Sequence, residues 1–143
     1  MRLAPHSLVV MHKNEKETTL LDAIYDEFPE VAEDLDRTLK YNWEYEPHER
    51  NKMWTGLIER FSQLTTDAIS RGDEATAKRY LRFVEKQYSA GGEDIKTAVD
   101  VYYVESLLWD IKDNKKKEWG WSLIPGKLQR LYINLWGEPK FGK

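Results

Sequence analysis

Residues 98–111 read AVDVYYVESLLWDI, and this stretch decides the architecture. Wound as a helix it is apolar on almost every side, with one carboxylate, Glu105, in its middle. A helix of that kind belongs inside a small helical domain rather than on its surface. The pair Gly91-Gly92 closes the preceding linker, and Glu93 and Asp94 suit a helix amino terminus, where the dipole favours negative charge. The spacing therefore predicts a central apolar helix over about residues 93–112.

The segments on either side repeat at helical spacing. Met53, Trp54, Leu57, Ile58, Phe61, Leu64, Ala68 and Ile69 mark a helix from Pro47 or His48 to about Arg71. Gly72 supplies its left-handed stop, and Asp73 caps a fourth helix carried by Ala77, Tyr80, Leu81 and Val84. These two resemble one tetratricopeptide-like hairpin, most clearly over RGDEATAKRYL (71–81), although a stack requires about three copies. Leu20, Leu21, Ile24 and Phe28 mark the first helix, capped by Thr18 or Thr19. Pro29 starts the second, with Val31, Leu35 and Leu39 on its buried stripe to about Lys40. YNWEYEPHER (41–50) reads as a loop, Asp113–Glu118 as a charged turn and Trp119-Gly120-Trp121 as an aromatic loop. Pro125 opens a last helix with Leu128, Leu131, Tyr132, Leu135 and Trp136 inward and Gly137 as its stop. The expected fold is all-α: about six antiparallel or orthogonally packed helices in one domain (18–143), behind a flexible arm (1–17).

Composition removes several classes of function. The 143 residues suffice for one domain with a real core, and 22 basic against 25 acidic residues leave a formal charge of −3. That balance argues against a nucleic-acid binder. With no cysteine, neither a disulfide framework nor a thiolate metal site can form. Leu8-Val9-Val10-Met11 is too short for a secretory signal, and no run reaches the roughly 20 apolar residues of a membrane span. A cytoplasmic protein without membrane attachment is expected. The histidines (His6, His12 and His48) show no zinc spacing, and neither a nucleophile elbow nor a glycine-rich phosphate loop is present. No metal, cofactor or catalytic residue is assigned, and the chain is read as a non-enzyme.

Charge is unevenly distributed. Residues 15–36 hold nine acids and one base, a net −8, while 112–143 hold eight bases and three acids. Helix four adds Lys78, Arg82 and Lys86 on one stripe. Uncompensated acids store repulsion that a cationic partner relieves, and they hasten its encounter. The predicted partner surface is therefore Asp22, Asp26, Glu30 and Glu33 as steering charges, with Trp43 as anchor and Tyr45 beside it. Of the six tryptophans, Trp54, Trp109 and Trp136 fall on apolar faces and read as core, whereas Trp43, Trp119 and Trp121 fall in predicted loops. Glu105 reads as a buried polar residue that must be paired with a tyrosine hydroxyl, an indole N–H or an arginine, because burying an unpaired carboxylate costs several kcal/mol.

The acidic opening helix ending Glu27-Phe28-Pro29-Glu30, the Gly72-Asp73 break and the late run Tyr103-Val104-Glu105-Ser106-Leu107-Leu108 resemble a group of small, largely uncharacterised bacterial helical domains. Some of that group look like immunity proteins encoded beside secreted polymorphic toxins. The likeness covers residues 18–112 and implies a helical fold and a protein partner, with no catalytic residue to carry over. The leading expectation is a non-enzymatic protein-binding domain, as an immunity protein that covers a basic toxin active site. The alternatives are a helical-repeat-like adaptor with no toxin partner and, third, a small-molecule pocket with Glu105 exposed into it.

Overall fold

Proline sets the first corner. The computed structural model describes residues 20–141, and every regular element among them is helical. Helix α1 (residues 20–27) ends at Phe28, and Pro29 occupies the first turn of α2 (Pro29–Trp43), where its missing N–H leaves no bond unmade. Leu20, Leu21, Ile24 and Phe28 are buried, as are Val31, Leu35 and Leu39 on α2. The arm 1–17 and the predicted Thr18 or Thr19 cap lie outside the described residues.

Helix α2 runs on through Tyr41, Asn42 and Trp43, which the sequence reading placed in a loop. It stops at Glu44 (φ 58°), where the Glu44 amide donates to the Lys40 carbonyl at 3.0 Å and the Tyr45 amide to the Leu39 carbonyl at 3.3 Å. The predicted third helix is split in two. PHERNKM forms a 3₁₀ turn (Pro47–Met53) with no buried residue, opened by a capping box between Glu46 and Glu49. Helix α3 (Trp54–Ser70) follows and buries Leu57, Ile58, Phe61, Ser62, Thr65, Thr66, Ala68 and Ile69. It touches α2, α4 and α6, so the centre of the domain is α3 rather than the segment 93–112.

The turn into α4 (Glu74–Ala90) is as predicted, with Gly72 at φ +77° and the Asp73 side chain accepting from the Thr76 amide at 3.1 Å. The α1–α2 corner meets α3 and α4 through aromatics. The ring centroids of Phe28 lie 4.8 Å from Tyr80, 5.0 Å from Phe83 and 5.8 Å from Phe61. The two edge-on pairs, with Tyr80 and Phe83, stabilise by about 0.5–1.5 kcal/mol each beyond simple burial.

The segment expected to be one continuous helix is broken. Helix α5 covers only Glu93–Ala98, followed by a π turn (Val99–Tyr103), a 3₁₀ turn (Val104–Ser106) and an irregular turn to Asp110. Leu108 (φ 64°) and Asp110 (φ 72°) are left-handed, a strained state for a bulky residue such as leucine. The cause lies in both segments. A helix apolar all round needs cover on every side, which this small domain lacks, and α3 offers hydroxyls to receive a broken backbone. Ser62 Oγ donates to the Tyr103 carbonyl at 2.6 Å, and the Leu108 amide donates to Thr66 Oγ1 at 3.0 Å. Thr65 Oγ1 shares a 2.8 Å hydrogen bond with the Tyr103 hydroxyl. Among the described residues no buried side-chain polar atom lacks a partner.

Two consequences overturn expectations. Glu105 is exposed, not a buried polar residue, and Trp109 is 59% exposed rather than core. Helix α6 (Asn114–Leu123), capped by Asp113 on the Lys116 amide, takes up most of the predicted charged turn and the aromatic loop. Gly120 lets it close on the broken segment: a Cβ there would meet Ile69 Cγ2 at 2.6 Å and Leu108 Cδ2 at 3.3 Å. Helix α7 (Gly126–Trp136) buries Leu128 and Tyr132, but Leu135 and Trp136, predicted inward, are 42% and 52% exposed. No helix among the described residues is long and apolar enough to cross a membrane.

Thr66→Val should therefore lower unfolding stability in urea by about 1–3 kcal/mol, the cost of stranding the buried Leu108 amide. Glu105→Ala, which removes an exposed side chain, should stay within about 0.5 kcal/mol of wild type. Alkali should unfold the protein through its tyrosines. Burial holds the Tyr103 phenol above its ordinary range, and Tyr80 and Tyr25 are raised by burial and by hydrogen bonds to Glu30 and Asp36. In the unfolded chain these phenols ionise near pH ~10, so above that pH the unfolded state binds fewer protons and stability falls as pH rises. Their contribution is complete below about pH 10. A pH titration should show tyrosinate absorbance rising together with loss of helical circular dichroism.

Candidate functional site

Three elements that are remote in sequence converge on one groove. The end of α2 supplies Trp43, the turn after the 3₁₀ segment supplies Trp109, and the end of α7 supplies Trp136. Together with Gly56, Glu59, Gln63 and Glu105 they line a cavity of about 540 Å³, within the range usual for ligand sites. An adjoining hollow of about 390 Å³ shares Glu105, Trp109 and Trp136 and extends to Lys112, Lys117 and Tyr132.

Each wall has a local cause. Trp43 lies against α3 because Gly56 has no side chain: a Cβ there would fall 2.9 Å from Trp43 Cη2. Trp136 is tied by its indole N–H to the Glu105 carbonyl at 3.2 Å, which joins α7 to the broken segment. Trp109 sits between the two left-handed residues Leu108 and Asp110, so the backbone itself turns it outward. Strained non-glycine backbone persists only where surrounding structure holds it, and it concentrates at functional sites. The π turn earlier in the same segment is a second irregularity.

The groove is acidic at its centre. Partial burial and the charge of Glu105 push Glu59 above the usual carboxylate range. Arg60 lines the groove but is committed elsewhere, through hydrogen bonds of 2.8 and 2.9 Å to the two carboxylate oxygens of Asp34. That hydrogen-bonded guanidinium in turn holds Asp34 below the usual range.

The residues predicted as a partner surface are dispersed. Asp22 pairs with Arg50 at 2.6 Å, and the same guanidinium lies 3.9 Å over the Tyr25 ring. Glu30 accepts from Arg79 at 2.8 Å and from the Tyr80 hydroxyl at 2.9 Å. Glu33 meets Arg37 at 3.8 Å, and Asp26 is exposed. The acids of this end are therefore largely compensated, contrary to the expectation of an unpaired acidic face. Tyr45 is half-buried with Lys52 Nζ 5.3 Å over its ring. None of the four acids lines the groove that contains Trp43. Thirteen residues of helix, about 20 Å, separate Glu30 from Trp43 along α2. Among the described residues no group of three or more His, Asp or Glu side chains could hold a metal ion, and His48 is exposed. Of the basic stripe, Lys78 pairs with Glu74 at 2.7 Å, whereas Arg82 and Lys86 line an open hollow with Lys127.

Sequence reasoning missed Trp109, Trp136 and Glu59. The signal for the break lay in Ser62, Thr65 and Thr66. Buried hydroxyls take partners, and while Thr65 also bonds the Phe61 carbonyl of its own helix, Ser62 and Thr66 bond the backbone of the broken segment.

Residues 21–137 match DUF7674, a domain of unknown function. The chain belongs to that family. No curated protein and no solved structure matches it.

Gly56→Ala should force the Trp43 indole off its seat and alter the groove without emptying the core. The expected result is a shift in the tryptophan emission maximum together with a change in melting temperature of only a few degrees, measured by fluorescence and circular dichroism.

Proposed function

We propose that this chain is a non-enzymatic protein-binding domain that receives its partner in the groove walled by Trp43, Trp109 and Trp136. The observation that carries the reading is the presentation of two large aromatics, Trp109 at 59% and Trp136 at 52% exposure, beside an open cavity, with Trp109 flanked by strained backbone. Exposed aromatic surface of this kind marks interaction sites. Tryptophan is also the residue most enriched among the few that dominate binding energy, because it buries large area at small entropic cost.

The partner in this reading is basic. Glu59 and Glu105 both line the groove, and a cationic surface would relieve the repulsion between them. Within the immunity reading suggested by the sequence resemblance, the partner is a toxin whose basic active-site cleft the domain covers. The cover would be provided by the groove rather than by the acidic end, since Asp22, Glu30 and Glu33 already hold basic partners.

The test is a comparison of three proteins as bait for one captured partner. Wild type and Asp26→Lys/Glu33→Lys should retain it, whereas Trp109→Ser/Trp136→Ser should lose at least about 30-fold in affinity, corresponding to roughly 2 kcal/mol. Retention by the tryptophan variant and loss by the acid reversal would move the interface to the acidic end and reject the groove.

A further inference from the structure

The groove combines aromatic walls with paired, uncompensated carboxylates. Trp43, Trp109 and Trp136 form the walls, and Glu59 and Glu105 lie between them. Among the described residues neither acid forms an ion pair. Arg60, the basic residue in the lining, is held on Asp34 by two hydrogen bonds at 2.8 and 2.9 Å. Burial and the Glu105 charge raise Glu59. Lys112 and Lys117 line the adjoining hollow that Glu105 shares, but neither forms an ion pair with Glu105. Two carboxylates lining one partly covered groove favour a ligand that brings positive charge. Indole is the strongest aromatic partner for a cation placed over its face. A planar guanidinium satisfies both demands at once, because it stacks flat on an indole and donates forked hydrogen bonds to carboxylates, which a compact ammonium cannot do.

From this combination we infer that the groove of Trp43, Trp109, Trp136, Glu59 and Glu105 is a receptor for an arginine side chain projecting from the partner protein. The inference rests on the proposed role of the groove as the binding surface and adds the chemistry of the group that enters it. The cavity of about 540 Å³ has room for one such side chain with its flanking backbone at the rim. The neutral analogue citrulline has nearly the same shape without the charge, so charge recognition can be separated from fit.

The test uses ¹⁵N-labelled intact protein, whose tryptophan indole N–H signals report on the groove. N-acetylargininamide should shift the signals of Trp109 and Trp136 in a saturable titration. N-acetylcitrullinamide should bind at least tenfold more weakly, and N-acetyllysinamide should fall between them. Glu59→Gln and Glu105→Gln should each weaken argininamide binding at least threefold while leaving the melting temperature unchanged, since both side chains are exposed. Equal affinity for the arginine and citrulline compounds, or indifference to both glutamine variants, would overturn the inference. So would binding that appears only after residues 1–17 are deleted, which would make the chain's own arm the occupant. Indole shifts that follow protein concentration with no compound added would assign the groove to a second copy and would overturn it likewise. If the tryptophan double variant loses its protein partner while no argininamide binding is seen, the groove remains the protein-binding surface and only the arginine chemistry fails.

Discussion

The structure depends on a substitution of hydrogen-bond partners inside its core. Between Tyr103 and Leu108 the chain leaves regular helix, and α3 returns what the backbone loses. Ser62 donates to the carbonyl of Tyr103 and Thr66 accepts the amide of Leu108, while Thr65 holds the Tyr103 ring through its hydroxyl. A buried amide or carbonyl without a partner costs about 1–3 kcal/mol, a large share of the 5–15 kcal/mol that keeps a domain folded. Without these hydroxyls the break could not be buried. With them, the chain can turn sharply enough to leave Trp109 and Glu105 at the surface.

The rest of the molecule keeps that contact in register. The aromatic cluster of Phe28, Phe61, Tyr80 and Phe83 joins α1 and α2 to the middle of α3, and the Phe61 ring also lies 5.5 Å from the Tyr103 ring. Gly120 allows α6 to press on both Ile69 and Leu108. At the surface Arg50, Arg60 and Arg79 reach back to Asp22, Asp34 and Glu30, across 28, 26 and 49 positions of sequence. Exposed ion pairs contribute little stability individually. Their effect here is to give Asp22, Asp34 and Glu30 basic partners, whereas Glu59 and Glu105 form no ion pair among the described residues.

Much of the fold could be read from the residues because it follows from local chemistry. Pro29 at a helix start, Gly72 as a stop, Asp73 as a cap and Gly137 as the last stop stand where the sequence places them. The stripes of α1, α2 and α4 are buried as spaced, and so is that of α3 except at Met53, Trp54 and Leu64, which are only partly buried. What failed was non-local. AVDVYYVESLLWDI has the pattern of a buried helix, and only the hydroxyls of α3, 41 and 42 residues earlier in the chain, explain why it breaks. Once the helix breaks, its period no longer predicts which side chains face inward, so Glu105 and Trp109 change sides. Trp136 follows because its indole N–H binds a carbonyl of the broken segment. Trp43 was identified as a binding candidate, but its neighbours were taken from sequence proximity when they are set by the approach of α3 at Gly56. DUF7674 membership over residues 21–137 covers all of these elements.

The Leu108 amide has a further consequence. Its partner is a side-chain oxygen, and a side chain can rotate while a helical carbonyl cannot. The turn that presents Trp109 is therefore fastened by one hydrogen bond between two buried groups. Thr66 does not line the groove, so a change of its hydroxyl would act on the placement of Trp109 from inside the core. The shape of one face of the molecule thus hangs on a single atom hidden beneath it.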